Sequence, residues 1–120
     1  MSKRDPEIAL KQILTHAREA IEICQGRKRA DLDTDRLLNL ALTRLIEIVG
    51  EAANRVPDAV QAKHPDLPWL QMIGVRNRLI HAYDNVDFDI LWAIVANDLP
   101  GVVTQIEEIL ATNSKTNRLK

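Results

Sequence analysis

The chain has 120 residues, 46% of them hydrophobic and 28% charged, and this length suits a single domain spanning residues 1–120. Sixteen basic and seventeen acidic residues give a net charge of -1, which excludes the strongly cationic surface of a general nucleic-acid binder. No apolar run approaches the roughly 20 residues of a membrane-spanning helix, and no export signal is visible, so the sequence predicts a soluble, cytoplasmic protein. The one cysteine, Cys24, cannot form an internal disulfide and is predicted to be a buried thiol.

The first helix is predicted from about Pro6 to Gln25. Asp5 suits the N-cap position, proline suits the first turn, and apolar residues then recur every three or four positions until Gly26. The polar loop that follows carries the basic run Arg27-Lys28-Arg29. A run of this kind can contact phosphate, but we interpret it as a solvated connection.

A second long helix is predicted from Thr34 to Val56. Its apolar face is broader than one neighbouring helix can cover. We therefore expect one contact within the subunit and one with another copy of the chain, with Gly50, Ala52 and Ala53 allowing close backbone approach. A central helix in a monomeric bundle is the alternative.

The sequence of the C-terminal half predicts three further helices. A short one begins after Pro57 and reaches His64, and a second begins at Trp69. The last is predicted from Phe88 to about Ala111, with a kink or break at Pro100-Gly101. Because no segment alternates like a strand, we predict an all-α antiparallel bundle of four main helices and one short helix, dimeric, with flexible ends at residues 1–5 and 112–120.

One helical turn in this half is unusually polar. On a continuous helix, Asn77 and His81 would share one face and Arg76 and Tyr83 an adjacent one. A histidine can transfer protons near neutral pH, an arginine can hold a phosphate, and an amide can orient it. Because the 2′-hydroxyl of RNA is itself a nucleophile, these groups could cleave RNA without a metal. The alternative is that a single histidine at a helix end is only structural.

A family resemblance favours the catalytic interpretation. The string from Arg76 to Tyr83 matches the signature of HEPN domains, which is arginine, four residues, histidine, any residue, tyrosine. The chain specifically resembles the HepT toxins of bacterial and archaeal toxin–antitoxin pairs. The resemblance covers roughly residues 6–111, and its further landmarks are Ile48–Ala53, Leu67–Trp69, Val86–Asp87, Ile90–Trp92 and Asp98–Pro100.

The resemblance implies a homodimer that acts as a metal-independent endoribonuclease, with the two polar turns meeting in a cleft. By this analogy His81 is the acid or base, Arg76 contacts the phosphate, Asn77 orients it, and Arg78 adds a further RNA contact. The implied partner is a minimal nucleotidyltransferase antitoxin, which neutralises the toxin by adding AMP to Tyr83. The alternative is a catalytically inactive HEPN module that binds the same nucleotidyltransferase.

We predict no metal ion and no cofactor. Asp84, Asp87 and Asp89 lack the glycine and distal glutamate of a calcium-binding loop, and Asp87 suits the N-cap of the last helix. His16 and His64 have no second ligand at zinc-binding spacing.

Two further pairs have packing or surface roles in this interpretation. Glu47 and Glu51 are one helical turn apart and form a surface pair, although one of them could contact Arg76 or Arg78. The two tryptophans, Trp69 and Trp92, are predicted to anchor helix packing rather than to stack on bases.

Overall fold

A computed structural model describes residues 5–81 and 85–119, with side chains for 5–80 and 85–114. The chain is mostly helical, which confirms the all-α class, and its only described strands form one short hairpin. No helix in the described part of the chain is long and apolar enough to cross a bilayer. The elements are α1 (Pro6–Ile23), α2 (Asp31–Thr34), α3 (Arg36–Arg55), α4 (Asp58–Lys63), α5 (Trp69–Ile73), α6 (Val75–Leu79), β1 (Ile80–His81), β2 (Asn85–Val86), α7 (Phe88–Ala93), a π-helical segment (Ile94–Asp98) and α8 (Leu99–Leu119).

Local sequence signals set both ends of α1. The Asp5 carboxylate accepts a hydrogen bond from the backbone N–H of Glu7 at 2.9 Å, as an N-cap does. The helix ends at Ile23, two residues before its predicted end, and Gly26 then adopts a left-handed φ of 73°. Cys24 caps the end of the helix and is half-buried, and this burial raises the pKa of its thiol above the ordinary value.

The basic loop after α1 is an ion-paired connection rather than a freely solvated one. Arg27 pairs with Asp35 and lies 3.7 Å from the carboxylate of Asp31. The guanidinium of Arg29 pairs with Asp33 at 3.0 Å and with Asp89 at 2.6 Å. These bonds, first the one to Asp89, raise the pKa of Arg29. Arg29 thus joins this loop to the beginning of α7.

The central helix is α3, which packs against α1, α5 and α6. Its small residues Gly50, Ala52 and Ala53 are all buried within the subunit. The close backbone approach predicted at Gly50 is made within the subunit, because α5 and α6 of the same chain lie against this glycine. The predicted contact of α3 with another copy of the chain stays a prediction. The exposed side of α3 instead presents Leu37 and Leu40, with 81% and 49% of their surface accessible.

The segment between α3 and α6 is anchored by a tryptophan. Trp69 is buried, and its indole N–H donates a hydrogen bond to the backbone carbonyl of His64 at 2.9 Å. This bond holds the end of α4 against the beginning of α5, so the predicted packing role of Trp69 is confirmed. Trp92 in α7 is half-buried and packs against the core, as predicted.

The last predicted helix is unbroken but not regular, and its irregularity lies one turn before the proline. Pro100 has no backbone N–H, and in a regular helix its ring would clash with the carbonyl of Ala96. The wider π-helical segment Ile94–Asp98 spans this carbonyl, and α8 begins directly after it. The helix then continues to Leu119, well past the predicted end near Ala111.

Candidate functional site

Three consecutive polar side chains project from the one-turn helix α6. Gly74 separates this helix from α5, so the predicted single helix is two short ones. Val75 and Leu79, four positions apart, face the core and are 4% and 0% exposed. The residues between them, Arg76, Asn77 and Arg78, are therefore exposed on the opposite side of the turn.

The histidine of the motif does not belong to this helix. Helix α6 ends at Leu79, and β1 pairs antiparallel with β2 so that His81 is opposite Asn85. The backbone N–H of Asp87 also donates to the carbonyl of Leu79 at 2.7 Å, which closes the base of the hairpin. The prediction that Asn77 and His81 share a helical face is therefore wrong, because the chain turns to extended structure between them.

Two of the predicted site groups are outside the structural description. Tyr83 is not among the described residues, and of His81 only the backbone is described. The catalytic and modification roles of these two residues stay predictions.

The motif arginines have no ionic partner among the described residues. Arg76 lines a cavity of about 220 Å³ together with Glu47, Glu51 and Asn54. Both carboxylates nevertheless pair with Arg44, at 3.9 Å for Glu47 and 3.2 Å for Glu51. No ion pair joins either carboxylate to Arg76 or Arg78 among the described residues, so the alternative of such a contact is not observed. The Arg76 guanidinium is available for an external anion.

Arg78 lines a second cavity of about 340 Å³, between α3, α5, α6 and the start of α8. Gln71 and Asp98 also line this cavity, whose walls are otherwise aliphatic. Val75 contributes to both cavities, so the two arginines of one turn extend toward different sites. No motif or spacing in the sequence pointed to Gln71. Asp98 was noted in the sequence only because the segment Asp98–Pro100 resembles the family pattern.

The acidic residues after the hairpin have structural roles. The Asp87 carboxylate accepts a hydrogen bond from the N–H of Ile90 at 3.1 Å, which confirms its predicted N-cap role. Asp89 binds Arg29, whereas Asp84 is outside the described residues. His16 lies 2.7 Å from the backbone carbonyl of Gln12. Within the described ranges, no three histidine, cysteine or acidic side chains are grouped as metal ligands.

These features define a small helical domain with a cationic surface turn suited to a phosphate ligand. The family model described as Ribonuclease HepT-like matches residues 13–109, and the chain belongs to this family. No solved structure matches the chain.

The curated relatives cover nearly the full domain. A protein of Methanocaldococcus jannaschii named "Putative RNase" is 36% identical over 107 residues, which are 89% of this chain and 98% of the relative. A second "Putative RNase", from Caldanaerobacter subterraneus, is 34% identical over 89% of this chain and 96% of its own. A "Probable ribonuclease HepT" of Thermococcus cleftensis is 35% identical over 82% of this chain and 94% of its own.

Proposed function

We propose that the chain is the toxin of a toxin–antitoxin pair and cleaves RNA as a homodimer without a metal ion. The observation that carries this proposal is the motif from Arg76 to Tyr83 inside the family match over residues 13–109. The exposure of Arg76, Asn77 and Arg78 supports it, because a phosphate backbone can reach these side chains from solvent. Because the proposed RNA substrate is found in the cytoplasm, we propose that the protein acts there.

In the proposed reaction the RNA supplies its own nucleophile. One His81 accepts the proton of the 2′-hydroxyl, whose oxygen attacks the adjacent phosphorus. The bond from phosphorus to the 5′-oxygen breaks, and that oxygen takes a proton from a second histidine, the His81 of the other copy. The products are a 2′,3′-cyclic phosphate and a 5′-hydroxyl. Arg76 balances the charge that develops on the phosphate, and Asn77 orients it.

A homodimer would supply the positive potential that the net charge of -1 conceals. Each copy contributes Arg76 and Arg78, so the two polar turns together carry four arginines. The exposed side of α3 is the candidate contact surface, since Leu37 and Leu40 leave apolar area uncovered there.

The nuclease activity can be tested with purified protein and RNA in the presence of a chelator. We expect cleavage by the wild type, and a loss of about 100-fold or more in His81→Ala, which is the usual scale for removing a general acid or base. His64→Ala is the matched control, because only the backbone carbonyl of His64 bonds Trp69. Equal activity of His81→Ala and wild type, or cleavage that requires added metal, would contradict the proposal.

The proposed antitoxin is a minimal nucleotidyltransferase that transfers AMP from ATP to the Tyr83 hydroxyl, releasing pyrophosphate. The added phosphate and adenosine would block RNA by charge repulsion and by volume. Intact-mass spectrometry after co-expression should show an adenylate on the wild type and none on Tyr83→Phe, which retains the ring. Complete neutralisation of an unmodified toxin would show instead that the partner acts by steric blocking. A wild type that binds the partner but leaves RNA intact would identify the inactive module.

A further inference from the structure

The cavity beside Arg78 has the size and walls of a site for a small flat group. Its volume of about 340 Å³ lies at the lower end of the range for ligand pockets, roughly 300–1,000 Å³. Its walls include Ile46 and Val49 of α3, Met72 of α5 and Ile94 of the π-helical segment. Aliphatic groups and a thioether suit the faces of an aromatic ring. A cavity of this size accepts one base rather than a peptide segment.

Three exposed polar side chains stand at this cavity, namely Gln71, Arg78 and Asp98. Although Arg78 and Asp98 line the same cavity, they do not form an ion pair with each other or with any other residue that the structure describes. A ligand can therefore use both a strong donor and a strong acceptor. Asp98 belongs to the π-helical segment, a type of irregularity that is frequent at functional sites.

Among the RNA bases, guanine matches this set of groups most fully. Its N1–H and N2–H₂ are adjacent donors that one carboxylate can accept together, and its O6 and N7 are acceptors that arginine recognises. Adenine, cytosine and uracil lack two adjacent donor positions for the carboxylate. We propose that this cavity binds a guanine base, with Asp98 on the donor edge and Arg78 on the acceptor edge.

This assignment rests on the proposed function for its biological role, which is to select the RNA position that is cut. Arg78 follows Asn77 in the same turn, and Val75 lies between the two cavities. A strand with its phosphate at Arg76 would have a neighbouring base within reach of the Arg78 cavity. Cleavage is then expected beside guanosines.

Binding of mononucleotides tests the base site without requiring catalysis. The full chain, labelled on its methionine methyl groups, is titrated with GMP, AMP, CMP, UMP and ribose 5-phosphate and followed by NMR. The chain has two methionines, of which Met72 lines the cavity, and Met72→Leu assigns its signal. We expect GMP to bind about tenfold or more tightly than the other nucleotides, the scale of one good bidentate contact. GMP should also shift the Met72 signal.

Asp98→Asn removes one acceptor without changing the size of the exposed side chain. It should lower the affinity for GMP about tenfold and leave that for UMP unchanged. Asp66→Asn is the matched control, because Asp66 is an exposed carboxylate that lines a different cavity. This control should keep the preference for GMP.

The results separate this proposal from the nuclease proposal. Equal affinity for the four nucleotides, equal binding of ribose 5-phosphate, an unmoved Met72 signal, or an unchanged preference in Asp98→Asn would each overturn the guanine site. Selective GMP binding by a protein that leaves RNA intact would support the site while contradicting the nuclease. RNA cleavage without selective GMP binding would support the nuclease and contradict the guanine site.

Discussion

Gly50 determines how closely α3 can approach the segment that carries the polar turn. A Cβ atom at this position would lie 2.6 Å from the backbone oxygen of Met72 and 2.9 Å from a methyl group of Val75. The first neighbour is backbone and cannot move as a side chain can. Because Val75 begins α6, the absence of a side chain at Gly50 helps to place Arg76 and Arg78.

Gly50→Ala is therefore expected to destabilise the fold by about 1–3 kcal/mol, as overpacking in a core does. Urea unfolding measures this change. Gly101→Ala is the matched control, because a Cβ there meets nothing within 4 Å and the residue lies in α8. Alanine should stabilise that helix by about 0.5–1 kcal/mol. Similar effects of the two substitutions would contradict the role of Gly50.

Asp35 gives a prediction about pH. Its pKa is lowered, first by the hydrogen bond from the N–H of Leu38 and then by Arg27, so its ionised form favours the folded state. This contribution is complete above the usual pKa of an aspartate and is lost as pH falls through the lowered one. Wild type should therefore exceed Asp35→Asn in unfolding free energy at neutral pH, and the difference should vanish in acid. A difference that persists unchanged into acid would contradict this role of the Asp35 carboxylate.

Among the secondary-structure elements, the helices whose ends carry local capping or proline signals could be predicted from the sequence. Asp5 and Asp87 cap α1 and α7 as expected, and Pro57 precedes the short helix α4. One helix end that the sequence did not predict depends on contacts made outside the helix. Helix α6 ends at Leu79 because its carbonyl bonds Asp87 and its side chain enters the core. Periodicity alone cannot reveal such a contact.

The exposed side of α3 leads to a prediction about how two copies of the chain form the proposed homodimer. Leu37→Asp combined with Leu40→Asp should shift the proposed homodimer to monomer, because charges would replace the apolar contact surface. Light scattering after size-exclusion chromatography measures the mass. Ile8→Asp is the matched control, since Ile8 is also an exposed hydrophobic residue, 58% accessible, but lies on α1. A dimer that survives the double substitution would exclude this side of α3 as the interface.

At the scale of the whole molecule, some arginines form ion pairs with carboxylates of the chain and others do not. Arg18, Arg27, Arg29 and Arg44 all pair with carboxylates of the chain. In the described ranges Arg36 and Arg55 bond only neutral side chains, and Arg76 and Arg78 have no ionic partner. The last two lie in one turn, so two unpaired positive charges stand close together there. The fold class and the motif were predictable because they depend on residue periodicity and spacing. The two cavities were not, because α3, α5 and α8 come together only in the folded chain.

The π-helical segment also determines how the C-terminal helix is aligned. A π turn contains one residue more than an α turn, so it rotates everything after it by about 100° relative to an uninterrupted helix. The buried residues of α8, such as Val102 and Ile106, face the core only with that offset. A one-residue deletion at the exposed Ala96 or Asn97 would keep this orientation of α8, but the regular helix that it forms would bring the Pro100 ring against the carbonyl four residues before it. The same deletion within α8 would instead rotate the apolar residues of that helix toward solvent.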